Sequence, residues 1–110
     1  MKYLLLICST EDRLNGEQRM QAWNTYASDL AAAGKIRGGE RLRPAASATT
    51  LRLSDGKRLL SDGPYAETKE QLGGFFLVEA NNIDEAVELA ARMPHLPDGG
   101  SVEIRPVWDM

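Results

Sequence analysis

Two stretches of uninterrupted apolar residues constrain the fold of this chain more than any other feature. The first runs from Tyr3 to Cys8 and the second from Phe75 to Val78. A strand with one wet face alternates apolar and polar side chains, whereas a strand that is apolar at every position needs cover on both faces. The sequence therefore predicts two central strands of one sheet, each buried on both sides.

The size and charge of the chain narrow the possible classes. Its 110 residues, 43% hydrophobic and 26% charged, are typical of a single globular domain, which we assign to residues 1–110. A net charge of −3 argues against a general nucleic-acid binder. The opening apolar run is far shorter than the roughly 20 residues of a membrane span, and no small-residue cleavage site follows it. We therefore expect a cytoplasmic protein without a membrane segment.

Two helices follow from the positions of caps and stops. Asn15 is expected to cap the first helix, which Gly34 ends. Asn82 is expected to cap the second, with Glu85 three positions later, and Pro94 ends it. The first helix carries an apolar stripe at helical spacing, formed by Met20, Trp23, Tyr26, Ala27, Leu30 and Ala31.

The remaining segments have the composition of strands and turns. Residues 35–44 predict a short strand or extended connection, and Asp55-Gly56 predicts a hairpin turn between strands at 48–53 and 57–61. The polar residues 62–70 predict a turn that leads into a short helical piece. Residues 101–107 alternate like a last strand with one wet face.

This order of elements predicts an α+β ferredoxin-like sandwich with an added hairpin and both helices on one face of the sheet. The other face would then lie open, although the two apolar strands need cover there. A second copy of the chain is the economical cover, because identical subunits usually close as two-fold dimers. We therefore expect a homodimer with its sheets face to face, and Trp108 packed on the partner subunit.

The segment from Asp62 to Glu70 holds the densest set of polar groups and is one candidate site. Asp62 or Glu67 could act as a base, Lys69 could bind an anion, and Tyr65 could donate a hydrogen bond to an oxyanion. The alternative is a turn fixed by Gly63-Pro64, in which the polar side chains cap a short helix. Both interpretations stay open at this point.

Other residues suggest chemistry less directly. His95 is the one side chain whose ordinary pKa lies near neutrality, which makes it the natural proton shuttle, although it could equally be a solvated loop histidine. Arg105 is a further candidate to converge on the same cleft. Cys8 is best interpreted as a buried core thiol. One His and one Cys show no metal-ligand spacing, so no metal or other cofactor is expected.

The charges are unevenly distributed along the chain. Residues 35–58 hold seven basic and two acidic side chains, a net charge of +5, while the remainder holds six basic and 14 acidic, a net charge of −8. Arg41 and Arg43 would share one strand face and form a cationic patch for an acidic metabolite or partner. The alternative is a solvated edge hairpin that its charges protect from aggregation.

The run SDGPYAETKEQLGGF at residues 61–75 closely resembles the signature of the DGPF group of YCII-related proteins, with Tyr65 where the group's name has Phe. The basic hairpin before it and residues 100–107 are similar to the same family. The resemblance implies a ferredoxin-like subunit of a dimeric α/β-barrel. The wider group is noted for a His–Asp pair with its His on the first helix, and that stretch here reads Ala22-Trp23-Asn24, so the pair is not carried over.

The leading hypothesis is a small-molecule-binding homodimer with lyase- or isomerase-like acid–base chemistry in a cleft near the DGPYAETKE segment, and an acidic or aromatic ligand. Its site would comprise catalytic His95 and Asp62 with ligand-binding Tyr65, Glu67, Lys69 and Arg105. The alternative is a non-catalytic protein-interaction or regulatory module for sigma-factor-dependent transcription, because the resemblance includes members encoded beside such factors. A third hypothesis is a purely structural dimer.

Overall fold

The structure is a computed structural model that describes residues 1–10, 17–66 and 70–109. Short 3-10 turns lie at Ala45–Ser47 and Leu96–Asp98. The strands and helices within the described residues are, in chain order, β1 (Lys2–Ser9), α1 (Glu17–Ala32), β2 (Ile36–Arg41), β3 (Thr49–Ser54), β4 (Lys57–Asp62), β5 (Gln71–Glu79), α2 (Ile83–Ala90) and β6 (Ser101–Pro106). Neither helix is long and apolar enough to cross a membrane.

The main sheet has four antiparallel strands in the order β2-β5-β1-β6. β3 and β4 form a separate two-stranded sheet. The helix after β1 and the helix after β5 each connect strands that have one strand between them, which is the split β-α-β arrangement of a ferredoxin-like fold. The predicted fold class is therefore confirmed, with β3–β4 as the added hairpin.

The core lies between the main sheet and the two helices. Alternate residues of β1, from Tyr3 to Ser9, are buried against it. Tyr26 and Leu30 of α1 and Ala86 and Ala90 of α2 belong to the same core cluster, so both helices cover one face of the sheet. Trp23 and Tyr26 pack in or against this core, as the helical stripe predicted.

The opposite face of the main sheet, which we call the open face, carries the other residues of β1. Leu4, Leu6 and Cys8 are only half-buried there in the single chain. The prediction that the Tyr3–Cys8 run is buried on both sides is therefore fulfilled on one face within one subunit. Cys8 is half-buried on the open face, so its assignment to the core was wrong.

The predicted ends of the elements are largely confirmed. Gly34 ends α1 with φ +71°, and the Asn82 side chain caps α2 by accepting a hydrogen bond from the Glu85 amide at 2.9 Å. Asp55 and Gly56 both have positive φ, +50° and +78°, as a two-residue hairpin turn requires. The predicted cap Asn15 lies outside the described residues.

One expectation between the helices was wrong. β2 ends at Arg41, so Arg43 lies beyond the strand and the two arginines do not share a strand face. Among the described residues of the 62–70 segment, Gly63, Tyr65, Ala66 and Glu70 form bends, and the predicted helical piece falls on residues 67–69, which lie outside the described residues. Gly63 is tied to the start of the β3–β4 hairpin, since its amide donates to the Ala48 carbonyl at 2.7 Å and its carbonyl accepts from Thr50 Oγ1 at 2.9 Å.

Candidate functional site

A cleft of about 220 Å³ opens between α1 and the sheet. Its roof comes from α1 and its floor from the adjacent ends of β2 and β5. The lining residues are Ile7, Met20, Trp23, Asn24, Ala27, Gly39, Glu40, Arg41, Gly73, Gly74, Phe75 and Phe76. A concave, mostly apolar site with a few polar groups is the form that small-molecule sites usually take.

Glycines leave the floor of the cleft without side chains at these positions and allow its two strands to lie close together. A Cβ on Gly39 would lie 2.8 Å from the Phe75 carbonyl oxygen and 2.8 Å from Phe76 Cδ1. A Cβ on Gly74 would lie 2.8 Å from the Glu40 carbonyl oxygen. Glycine inside a strand often marks a place where backbone or ligand approaches closely. Any larger residue at Gly39 or Gly74 would force β2 and β5 to shift.

Trp23 forms the aromatic wall of the cleft. Its ring stacks on Phe76 with 6.4 Å between centroids and meets Tyr26 edge-on at 5.9 Å. The Tyr26 hydroxyl donates to the Leu89 carbonyl at 2.6 Å, which ties α1 to α2. Burial raises the pKa of Tyr26 to about 12, so this hydroxyl remains a donor at any physiological pH. The aromatic wall is therefore held by ring contacts and by a partly buried hydrogen bond between the two helices.

Two polar side chains, Asn24 and Arg41, line the cleft. The register pairs Arg41 with Gly74 and Gly74 with Ile7, which places Arg41 on the helix-covered side of the sheet. Asn24 lines the roof. Glu40 alternates with Arg41 and pairs with Phe75 on the other face, so it contributes mainly backbone to the lining. The cleft thus combines an aromatic wall, an amide and a permanent cation.

His95 lies behind Trp23 and is almost fully buried, with 1% of its surface exposed. The two rings are 5.3 Å apart and inclined by 35°. Nε2 is 2.7 Å from the Ser101 carbonyl, which can only accept, so the imidazole carries its proton on Nε2. Nδ1 is buried and has no hydrogen-bond partner among the described residues. The solvated-loop interpretation of His95 was therefore wrong.

Burial also sets the protonation of His95. It lowers the pKa of the imidazole below its ordinary value of 6.5, against smaller opposing effects of the Ser101 carbonyl and the Glu70 carboxylate. Gly100 makes room for the ring, because a Cβ there would collide with the imidazole Cδ2. His95 is thus a neutral imidazole at pH 7, with an unused lone pair on Nδ1.

The structure does not gather the other predicted site residues that it describes around this cleft. Asp62 is exposed at the end of β4, and Tyr65 is 78% exposed with the Arg52 guanidinium 4.9 Å from its ring centre. Arg105 pairs with Leu4 on the open face, so the sheet separates it from His95. Glu67 and Lys69 lie outside the described residues.

Sequence reasoning missed the glycine floor and the roles of Asn24 and Trp23 in the cleft. A signal was available, because Gly38-Gly39 and Gly73-Gly74 are two glycine pairs in strands, where glycine is unfavourable unless a close approach needs it. Arg41 was singled out for its charge, but its place in the cleft depends on the pairing of β2 with β5. Among the described residues, no group of three or more metal-ligating side chains is found.

Comparison with known proteins identifies the family. Residues 1–110 match the YCII-related domain. An uncharacterized protein of Rhizobium meliloti (strain 1021) is 37% identical over 102 residues, which cover 92% of this chain and 82% of that relative. This chain therefore belongs to the YCII-related family, as the signature at residues 61–75 suggested.

The fold is shared with an enzyme of known structure. The 5-chloro-2-hydroxyhydroquinone dehydrochlorinase of Burkholderia phenoliruptrix AC1100, solved in complex with 2,5-dihydroxybenzoquinone, aligns with a TM-score of 0.56. The alignment covers 98% of this chain and 94% of that enzyme at 18% identity. At this identity the similarity establishes the fold alone.

Proposed function

Because the chain belongs to the YCII-related family, we propose that it is a small-molecule-binding homodimer with acid–base chemistry in the cleft between α1 and the sheet. The cleft itself carries the proposal, since its glycine floor leaves space between aromatic walls that side chains would otherwise fill. A dehydrochlorinase of the same fold holds a small quinone, which supports a role in small-molecule chemistry. This location replaces the DGPYAETKE segment as the centre of the site.

The lining indicates a flat, acidic ligand. A ring that enters between the bare floor and Trp23 would contact apolar surface on both sides. The guanidinium of Arg41 suits a carboxylate or ionised hydroxyl, because it presents several N–H donors to paired oxygens. The Asn24 amide can donate to one oxygen and accept from another. We therefore propose a hydroxylated aromatic, quinonoid or aromatic carboxylate ligand.

The acid–base part of the proposal rests on His95. None of the cleft-lining side chains of the described residues has an ordinary pKa near neutrality. His95 lies against the back of Trp23 with a bare lone pair on Nδ1. A rotation of the indole would open the inner end of the cleft toward the imidazole, whose Nδ1 would then accept a proton from a ligand hydroxyl or C–H group.

The dimer part rests on the open face. Leu4, Leu6, Leu72, Phe75 and Leu77 share that face and are half-buried or exposed in the single chain. A second copy would cover them in a two-fold, face-to-face arrangement. Light scattering is expected to give twice the chain mass of 12.1 kDa. Leu6→Asp should yield the single-chain mass, whereas Val87→Asp, the same change on exposed α2 surface, should leave the dimer intact.

Ligand binding can be followed through Trp23. The chain has two tryptophans, so Trp108→Phe leaves Trp23 as the only fluorophore of its kind. Saturable quenching by 2,5-dihydroxybenzoquinone or by aromatic carboxylates is expected. Ala27→Leu, which fills the cleft from its roof, should raise the dissociation constant at least tenfold, and the exposed Ala32→Leu should leave it unchanged.

His95→Gln tests the acid–base part separately. The variant should bind the quenching ligand with its affinity unchanged within a factor of two but lose any proton exchange or turnover of that ligand. Absence of saturable quenching across the set of ligands, or insensitivity to Ala27→Leu, would contradict the cleft as the binding site. The roles predicted for Asp62, Tyr65, Glu67, Lys69 and Arg105 remain predictions that the same assay can test.

A further inference from the structure

The β3–β4 hairpin, which we call the arm, projects from the body of the molecule. Within the part of the chain that the structure describes, its strands pair only with each other, and all but Thr50 of their residues are exposed. The radius of gyration is 15.6 Å, compared with about 13 Å for a compact chain of this length. An isolated two-stranded hairpin is only marginally stable in water. We therefore expect the arm to be stabilised by packing against another protein surface.

The two faces of the arm differ in chemistry. The register places Leu51 opposite Leu60 and Leu53 opposite Arg58, so three leucines lie on one face, which we call the leucine face. These leucines are 57%, 70% and 72% exposed in the order Leu51, Leu60, Leu53. The other face pairs Arg52 with Leu59, and Arg52 there covers the ring of Tyr65. The leucine face is the larger apolar surface.

We propose that the leucine face docks on a second copy of this chain, so that the hairpin of each subunit in the dimer packs against the other subunit. This inference rests on the homodimer of the proposed function. It goes beyond it by giving the hairpin a place in the interface.

Charge favours a second copy as the occupant. The segment 35–58, which supplies β2, β3 and the tip of the arm, has a net charge of +5, while the remainder of the chain has −8. The acidic remainder of a partner copy would therefore attract the basic arm. In a two-fold pair the same contact forms twice, because each arm meets the other subunit's body.

The size of the open face also favours a second copy of the chain as the partner of the arm. Four strands of six to nine residues present a planar footprint of about 20 Å by 20–30 Å, and contact with the arms would add to the area buried, which is about 800 Å² of accessible surface per partner in stable interfaces. The arm joins β2, the edge strand of the sheet, to β5. Arms that leave from this edge would extend a face-to-face contact beyond the sheets.

Neighbouring leucines on opposite faces of β4 provide the test. Benzoylphenylalanine introduced in place of Leu60 should cross-link two chains on irradiation and give a band at twice the chain mass. The same photoreactive residue in place of Leu59 should give at most a fifth of that band. Leu60→Asp should raise the dimer dissociation constant at least tenfold, and Leu59→Asp less than twofold.

The outcomes separate this inference from the proposed dimer. A dimer by light scattering without a cross-link from position 60, or with equal cross-links from both positions, would overturn the arm contact and leave the face-to-face dimer standing. A single-chain mass for the unaltered protein would overturn both. Cross-linking in cells only to a different protein would exclude the second copy as the occupant.

Discussion

The indole of Trp23 and the imidazole of His95 lie with their ring centres 5.3 Å apart, in an aromatic cluster that also contains Tyr26 and Phe76. One side of this cluster forms the wall of the cleft, and the other side is closed by β6 through the contact of His95 with Ser101. The single histidine is therefore part of the structural support of the candidate site as well as its candidate base.

The stability of the protein should depend on pH through His95. Burial lowers the pKa of His95 in the folded protein below 6.5, so the imidazole binds a proton more readily in the unfolded chain. The contribution of His95 to stability is then fully present above pH 6.5. It is lost as the pH falls from 6.5 through the lower pKa that His95 has in the folded protein, and the free energy of unfolding changes by at most about 1.4 kcal/mol per pH unit. Urea unfolding between pH 5 and 7.5 measures this slope.

The matched variant for that measurement is His95→Gln, which removes the titrating group. Its slope between pH 5 and 6.5 should fall to the background of the remaining groups. Glu79 and Glu85 have lowered pKa values, since each accepts a charge-assisted hydrogen bond from an amine, and they titrate below 4.5. An unchanged slope in the variant would show that His95 is not the responsible group.

Two adjacent glycines in β2 should respond differently to alanine. A Cβ on Gly39 would lie 2.8 Å from backbone and ring atoms of β5, whereas a Cβ on Gly38 would lie 3.9 Å from the Leu77 side chain. Gly39→Ala should lower the free energy of unfolding by about 1–3 kcal/mol because the strands must separate. Gly38→Ala should change it by less than about 1 kcal/mol. Similar losses in both variants would refute the close approach at Gly39.

Tyr26→Phe should destabilise the contact between the helices. It removes the hydrogen bond to the Leu89 carbonyl and leaves that partly buried acceptor without its donor, at a cost of about 1–3 kcal/mol. Thermal unfolding measures the loss. Thr25→Ala, which removes an exposed hydroxyl from the same helix, is the control and should have an effect within about 0.5 kcal/mol.

Cys8 should react slowly with thiol reagents. Burial, followed by the carboxylates of Glu103 and Glu70, raises the pKa of the thiol, and the thiolate is the reactive form. A disulfide reagent at pH 8 should modify folded protein more than tenfold more slowly than protein in 6 M urea. Leu6→Asn, which weakens the contact without adding a carboxylate beside the thiol, should increase the rate, because the proposed partner would no longer cover the open face. A fast reaction in the unaltered dimer would contradict that cover.

Local patterns determined a large part of this protein. The apolar runs, the Asn82 cap, the Gly34 stop and the Asp55-Gly56 turn each depend on residues close in sequence, and these patterns predicted the elements and their order. The ferredoxin-like arrangement followed, because short chains with this order of elements have few ways to connect them. The signature at residues 61–75 also pointed correctly to the family.

Only the tertiary structure decided where the site lies. Trp23, Gly39 and Gly74 meet because β5 pairs with β2 and α1 crosses both, and no local pattern contains that pairing. The same packing buried His95 beneath Trp23 and placed Arg105 on the opposite side of the sheet. Burial and the facing of side chains depend on contacts between residues distant in sequence, so the sequence by itself could supply the candidate groups but not their grouping.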